Sequence, residues 1–381
     1  MPRVSPFVGL RYDPSRAGPI DRLTAPPYDL LPPAALERYL AEDPHNVAHL
    51  EGGEVERSEA EYREVAARLA DWRAGGVLVE TESSAFALEM TYPLGERTAR
   101  VRGILVAMGV EPWGGSVVPH ERTSAKPVGD RLRLLRIVGA NLSPIHAILP
   151  GPSPRLADAL GAACGSPALV ETTDEEGVAH RLWPLEPAAE LRGELEGQSC
   201  MIADGHHRYT TALAYREEMR AREGAGPWDD VLTLLVDASE EAPVRAFHRI
   251  VLRGPVPEPD EATDDLAATL ARLDDEAGVV GVIRPRSGGG VVHGIVRLPG
   301  PPPAVVALES LLPKAEEAVR FTPEPQVAEA AVLAGAPGAW LLPPTTAARI
   351  RDVVDAGDRL PRKSTYFWPK PRTGLVLRPF R

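Results

Sequence analysis

The sequence predicts an α/β (α+β) protein. The expected architecture is a mixed-sheet core built around one strand-turn-helix motif, with a smaller C-terminal α+β region. Three observations carry that expectation. From 151 to 253, helical and extended patterns alternate, as a layered α/β core requires. The stretch "SCMIADGHHRYTTALAY" places a short apolar run, a glycine and a helical pattern in direct succession. The Pro-rich "GPVPEPDEA" then separates a region of different character.

Taken in order, residues 1–50 read as irregular and then helical, with Pro32 and Pro33 before a helix from Ala34 to about Ala41. Tyr62, Val65, Leu69 and Trp72 recur at helical spacing, with Ser58 as N-cap and Gly75–Gly76 as the stop. "SAFALEMTY" and "TARVRGILVAMGV" flank "PLGER" and predict a β-hairpin. "GDRLRLLRIVGANL" predicts a helix ending near Gly139. Beyond 151, "SPRLADALGAAC" and "AAELRGELEG" predict helices, and "HRLWPLE", "SCMIAD", "DDVLTLLVDAS" and "VRAFHRIVLR" predict strands. The helix after Gly205 should face inward with Tyr209, Ala212, Leu213 and Met219. Further on, helices are expected near 261–274, 313–320 and 325–334, with a hairpin around "RSGGG". These divisions give expected regions 1–150, 151–254 and 255–381.

Composition narrows the function classes. The 381 residues are 44% hydrophobic and 25% charged, with a formal net charge of -12. That is an ordinary globular composition, and it argues against a broad nucleic-acid surface. Two cysteines, Cys164 and Cys200, show no metal spacing and no disulfide framework, so a cytoplasmic home is expected. No secretory signal pattern and no apolar run long enough to span a membrane is visible. Arginine has displaced lysine almost everywhere: the four lysines are Lys126, Lys314, Lys363 and Lys370, and the two asparagines are Asn46 and Asn141. The rare residues direct attention to their segments, because a lysine is a compact rotatable charge and an arginine a rigid fork.

Three segments carry chemistry-bearing residues. At 204–208, Asp204 ends a strand, Gly205 permits a tight turn, and His206, His207 and Arg208 open a helix. A helix N-terminus with an adjacent arginine suits phosphate. It is neither a Walker loop nor a dinucleotide fingerprint. The plainer alternative is an Asp cap with solvated histidines, and zinc is disfavoured because adjacent histidines point apart. At 117–135, "VVPHERTSAKPVGDRLRLL" gathers His120, Glu121, Lys126 and Arg131, a set fit for proton transfer and phosphate steering, or simply a solvated loop. Asn141, Ser143 and His146 follow in "GANLSPIH"; Asn141 could equally cap the preceding helix. At 362–370, "RKSTYFWPK" carries Lys363, Ser364 and Lys370 in a basic, aromatic tail that could return over a site or rest on the surface.

Together, "TAPPYDLL", "PHNVAHLE", "PHERT…K…DRLRLL", "ANLSPIHAIL", "IADGHHRYTTAL", "FHRIV" and "RKSTYFWPKPRTGLV" resemble domain-of-unknown-function family 1015 over nearly the whole chain. The turn "DGHHR" also resembles the Asp-Gly-His-x-Arg turn of the free-serine kinases in the ParB/sulfiredoxin-like superfamily. That second resemblance implies a kinase using ATP or ADP with Mg2+ on a small hydroxyl metabolite such as free serine. It places Asp204, Gly205, His206, His207 and Arg208 at the nucleotide phosphates. The base would be another carboxylate, Glu121, or His120; Lys126, Arg131, Asn141, Lys363 and Ser364 are the further cofactor-binding candidates. Two alternatives stand beside it: a ParB-like nucleotide-binding or DNA-associated module, and a metal-dependent phosphatase or hydrolase. The expected partners are a small substrate and a nucleotide, with nucleic acid disfavoured and no membrane.

Overall fold

The hairpin at "PLGER" is the spine of the first of two units. In the computed structural model its strands run Leu78–Leu94 and Arg97–Gly109, paired antiparallel. The structure describes residues 2–53, 57–123, 125–240, 243–300 and 302–380. The first unit comprises 1–119, 123–242 and 369–381; the second comprises 120–122 and 243–368. Residues 150 and 151 thus both fall in the first unit, and 254 and 255 in the second.

The first unit holds a ten-stranded mixed sheet. Its path runs Val117–Pro119, Cys200–Asp204, Ile145–Ile148, Asp230–Val236, then the two hairpin strands, Ala179–Leu185 and Val170–Thr173. The pairs Cys200–Asp204 with Val117–Pro119 and Asp230–Val236 with Ile145–Ile148 are parallel; the rest of the path is antiparallel. Asp230–Val236 is buried along six of its seven positions, which explains its unbroken apolar run.

The expected helices form where their stop and start signals lie. Ser58 accepts from the Glu61 N–H while the Glu61 carboxylate accepts from the Ser58 N–H, a capping box opening Glu59–Ala74. Ala125–Val138 ends at Gly139, whose φ of +61° is the left-handed conformation a helix stop favours. His206–Glu223 buries Tyr209, Ala212, Tyr215 and Met219, and Leu213 packs half-buried against the core. The C-terminal tail belongs to this unit. Leu377 and Leu10 exchange backbone hydrogen bonds at 2.8 and 2.9 Å, and Thr373 and Ala25 do so at 2.9 and 3.2 Å.

The second unit is built on a six-stranded antiparallel sheet ordered Glu261–Thr263, Val291–Arg297, Val279–Pro285, Gly338–Leu341, His248–Val251 and Val319–Thr322. The "RSGGG" hairpin supplies its second and third strands. Three expectations are corrected here. "VRAFHRIVLR" is two strands: Val244–Arg245 pairs with Tyr366–Phe367, and His248–Val251 joins the six-stranded sheet. Residues 261–263 are an edge strand, and the helix there shrinks to Leu266–Leu270, capped by Asp265. The helix expected near 313–320 is a single turn at Glu316–Ala318 followed by a strand, because Val319–Thr322 pairs with His248–Val251. Sheet pairing outweighs the helix propensity of an Ala- and Glu-rich segment. Helix Pro325–Leu333 forms as expected. Among the described residues, no helix is long and apolar enough to cross a membrane.

Candidate functional site

The strand-to-helix turn fixes the geometry of the first unit's polar centre. Cys200–Asp204 lies inside the sheet, so Asp204 emerges at a strand end between two neighbours. Gly205 turns with φ +91° and ψ +28°, a left-handed conformation that a side chain resists. A Cβ added there would also lie 3.1 Å from the Arg208 guanidinium. The eighteen-residue helix then begins at His206. Its N-terminal amides carry partial positive charge at the strand's end.

The side chains do not project freely from that turn. Asp204 Oδ2 accepts from Arg208 Nη2 at 2.5 Å, and Asp204 Oδ1 accepts from the Lys370 ammonium. Arg208 Nη1 also donates to the Pro144 carbonyl at 2.5 Å and to Ser143 Oγ at 3.0 Å. Ser143 Oγ donates to Glu51 Oε1 at 3.0 Å. Arg131 donates to the Glu51 carbonyl at 2.8 Å, pairs with Asp130 at 2.5 Å, and lies 4.2 Å over the Tyr28 ring. A chain of charge-assisted contacts therefore runs Arg131–Glu51–Ser143–Arg208–Asp204–Lys370. Each residue comes from a different quoted motif except Asp204 and Arg208, which share one.

Burial sets the electrostatics. Desolvation pushes the Asp204 carboxyl up, and Asp29 adds to it, but Lys370 and Arg208 outweigh both and hold it below the usual range. Burial would neutralise Arg131, yet Glu51 and Asp130 keep its guanidinium firmly charged. His146, paired in register beside Asp204, is pushed down to about 4, chiefly by burial, with Lys370 and Arg208 contributing. It is a neutral imidazole at pH 7.

The remaining candidates have definite surroundings. His206 is buried and stacked on Trp113 at 6.2 Å, and His207 is half-buried. Asn141 gives its side-chain carbonyl to the Leu232 N–H and to Arg378, both at 3.1 Å. It lies in a two-residue strand rather than at a helix cap. Lys126 falls in helix Ala125–Val138, but its side chain lies outside the described residues.

His120, Glu121, Lys363 and Ser364 belong to the second unit. There the His120 ring nitrogen Nε2 is 2.7 Å from Thr365 Oγ1, and Glu121 Oε2 accepts from the Ser364 N–H at 3.2 Å. A bridge between Glu121 and Leu360 holds the two segments side by side. Lys363 has φ +55°, strained for a lysine, and its ammonium sits 5.2 Å over the Phe247 ring.

Among the described residues no three His, Cys, Asp or Glu side chains gather as a metal site. Glu51, Ser143 and Lys370 join this centre without being among the expected site residues. The available signals were the rarity of Lys370 and the placement of all three in motifs that carry the same family resemblance as the Asp204–Arg208 turn.

The family model described as "Protein of unknown function (DUF1015)" matches residues 4–334. The chain belongs to that family. The DUF1015 chain has no match among curated proteins. Among solved structures it is similar to a free serine kinase variant in complex with ADP, at 14% identity and TM-score 0.38, covering 66% of this chain and 84% of that one. A conserved hypothetical protein from Pyrococcus furiosus gives 14% and 0.37, covering 68% and 90%. SbnI with C-terminal truncation from Staphylococcus aureus gives 11% and 0.36, covering 71% and 85%.

Proposed function

We propose that this DUF1015 protein is a nucleotide-dependent phosphotransferase, a kinase acting on the hydroxyl of a small metabolite such as free serine. The observation that carries the reading is the Asp204–Arg208 turn: a strand end, a left-handed glycine and the start of a long helix, ringed by Arg208 and Lys370. Phosphoryl transfer needs positioning and charge neutralisation more than covalent chemistry, and this turn offers both. The helix N-terminal amides and Arg208 would hold the phosphates of ATP or ADP. Engagement would require Arg208 and Lys370 to share their hydrogen bonds between Asp204 and the incoming anion.

Mg2+ bound with a nucleotide needs only one or two protein carboxylates, the phosphates and water supplying the rest. Asp204, the carboxylate at the turn, is the residue that would hold it, in exchange for its contact with Lys370 or Arg208.

The experiment is turnover of ATP and of ADP by the purified full chain with Mg2+, alone and with serine, threonine, homoserine and glycerol. The expected result is turnover that depends on one hydroxyl compound, lost about a hundredfold in Arg208→Met. Absence of hydroxyl-dependent turnover across the panel sinks the reading. Stoichiometric tightly bound zinc or manganese with nucleotide-independent phosphate release would favour the hydrolase instead.

A further inference from the structure

The "FHRIV" motif takes no part in the turn described above, yet it places a donor in a cleft of the second unit. The cleft has a volume of about 500 Å³ and is lined by apolar side chains including Leu270, Leu273 and Leu342, with His248 among them. His248 is 5% exposed. The Leu342 N–H donates to its Nδ1 at 3.1 Å, so in the neutral ring the proton sits on Nε2. No described group pairs with that Nε2, and it lies open to the cleft rather than sealed in the core. Burial, with Arg249 beside it, pushes the imidazole down to about 4, so the group is a fixed N–H donor across ordinary pH.

Two further features bias what that donor meets. The first turn of helix Pro325–Leu333 lines the cleft through Pro325 and Gln326; Pro325 has no N–H and the Val327 and Ala328 N–H groups donate to the Glu324 carbonyl, so the Gln326 N–H is the donor that this turn offers. Arg245, also on the lining, stacks 3.7 Å over Trp368 and lies 3.8 Å from Glu324. Glu324 takes part of that positive charge, so the cleft suits a single carboxylate better than a multiply charged phosphate. The size and apolar walls match a small organic molecule with one polar end.

We propose that this cleft is a binding site for a small aliphatic or aromatic carboxylic acid, its carboxylate accepting the His248 Nε2–H and its body lying against Leu270, Leu273 and Leu342. The site is independent of the phosphotransferase reading.

The test titrates the full-length 15N-labelled protein with phenylacetate and, separately, phenylacetamide, following the His248 ring by long-range 1H–15N NMR. Phenylacetate should shift the Nε2 signal saturably, and the amide should bind at least about tenfold more weakly. Leu273→Trp, which fills the cleft, should abolish the shift while the rest of the spectrum stays folded. His248→Gln should weaken phenylacetate binding, read on neighbouring amides, by about tenfold. No response up to about 20 mM, beyond the millimolar range expected for so small a ligand, overturns the proposal. Equal binding of the amide, or a shift that survives Leu273→Trp, also overturns it.

Discussion

In the first unit the Arg208 guanidinium meets a carboxylate, a hydroxyl and a carbonyl; in the second, the fully buried Arg249 guanidinium donates to the Phe247 carbonyl at 2.5 Å while its Nε and Nη2 find no partner among the described residues. Phe321 lies 5.0 Å beneath it, and burial pushes its pKa down to about 10, against the pull of Glu309 and Glu121. The first arrangement is a compensated set of charges, in which losing any one member strands the others. The second is a cation held mainly by packing and a ring face. Buried pairs are costly to break from one side, whereas an under-satisfied buried charge is cheap to replace by an apolar isostere.

The largest effect is expected from Asp204→Ala. It leaves Lys370 and Arg208 buried without their carboxylate and should cost about 3–5 kcal/mol in urea unfolding. Asp204→Asn combined with Lys370→Met should recover part of the loss, because it removes one charge of each sign. A cost below about 1 kcal/mol for Asp204→Ala would remove the contrast.

Acidification probes both units next. His146 and His248 each fall from 6.5 to about 4 on folding. Both histidines are neutral in the folded protein and protonate more readily when unfolded. Their contribution is therefore complete above about pH 6.5 and is lost as pH falls toward 4, about 3 kcal/mol for each residue. Replacing His146 or His248 by Phe should flatten the stability profile in that window by one such share. Asp204 adds a separate loss at lower pH, below its ordinary value of 3.8, as its depressed carboxyl protonates.

Helix caps supply a control that should not distinguish the units. Ser58 accepts from the Glu61 N–H at 3.3 Å in the first, and Thr346 accepts from the Arg349 N–H at 3.1 Å in the second. Ser58→Ala and Thr346→Ala should each cost about 1 kcal/mol. The smallest effect is expected from Arg249→Met, neutral to stabilising by up to about 1 kcal/mol. A loss above about 2 kcal/mol would mean that Arg249 is as well satisfied as Arg208.

Legibility in the sequence follows the range of the interactions. Ser58, Gly139 and Gly205 act on residues within a turn of themselves, so the elements they bound can be read directly. Glu261–Thr263 and Val319–Thr322 are too short to show alternation, and their conformation comes from partners about 30 and 70 residues away in the chain. "VRAFHRIVLR" looks like one strand because its apolar pattern is continuous, yet its two halves pair with different strands.

The α/β class, the strand-glycine-helix turn and the acids and cations in motifs spread along the chain are legible without the fold. Those depend on local propensity and side-chain period. That Lys370 meets Asp204, that Ser143 meets Arg208, and that Glu51 lies behind Ser143 comes from the fold. Their meeting depends on sheet order and on the backbone bonds of Leu377 and Thr373 that bring the tail back, and no local pattern encodes a contact across 166 residues.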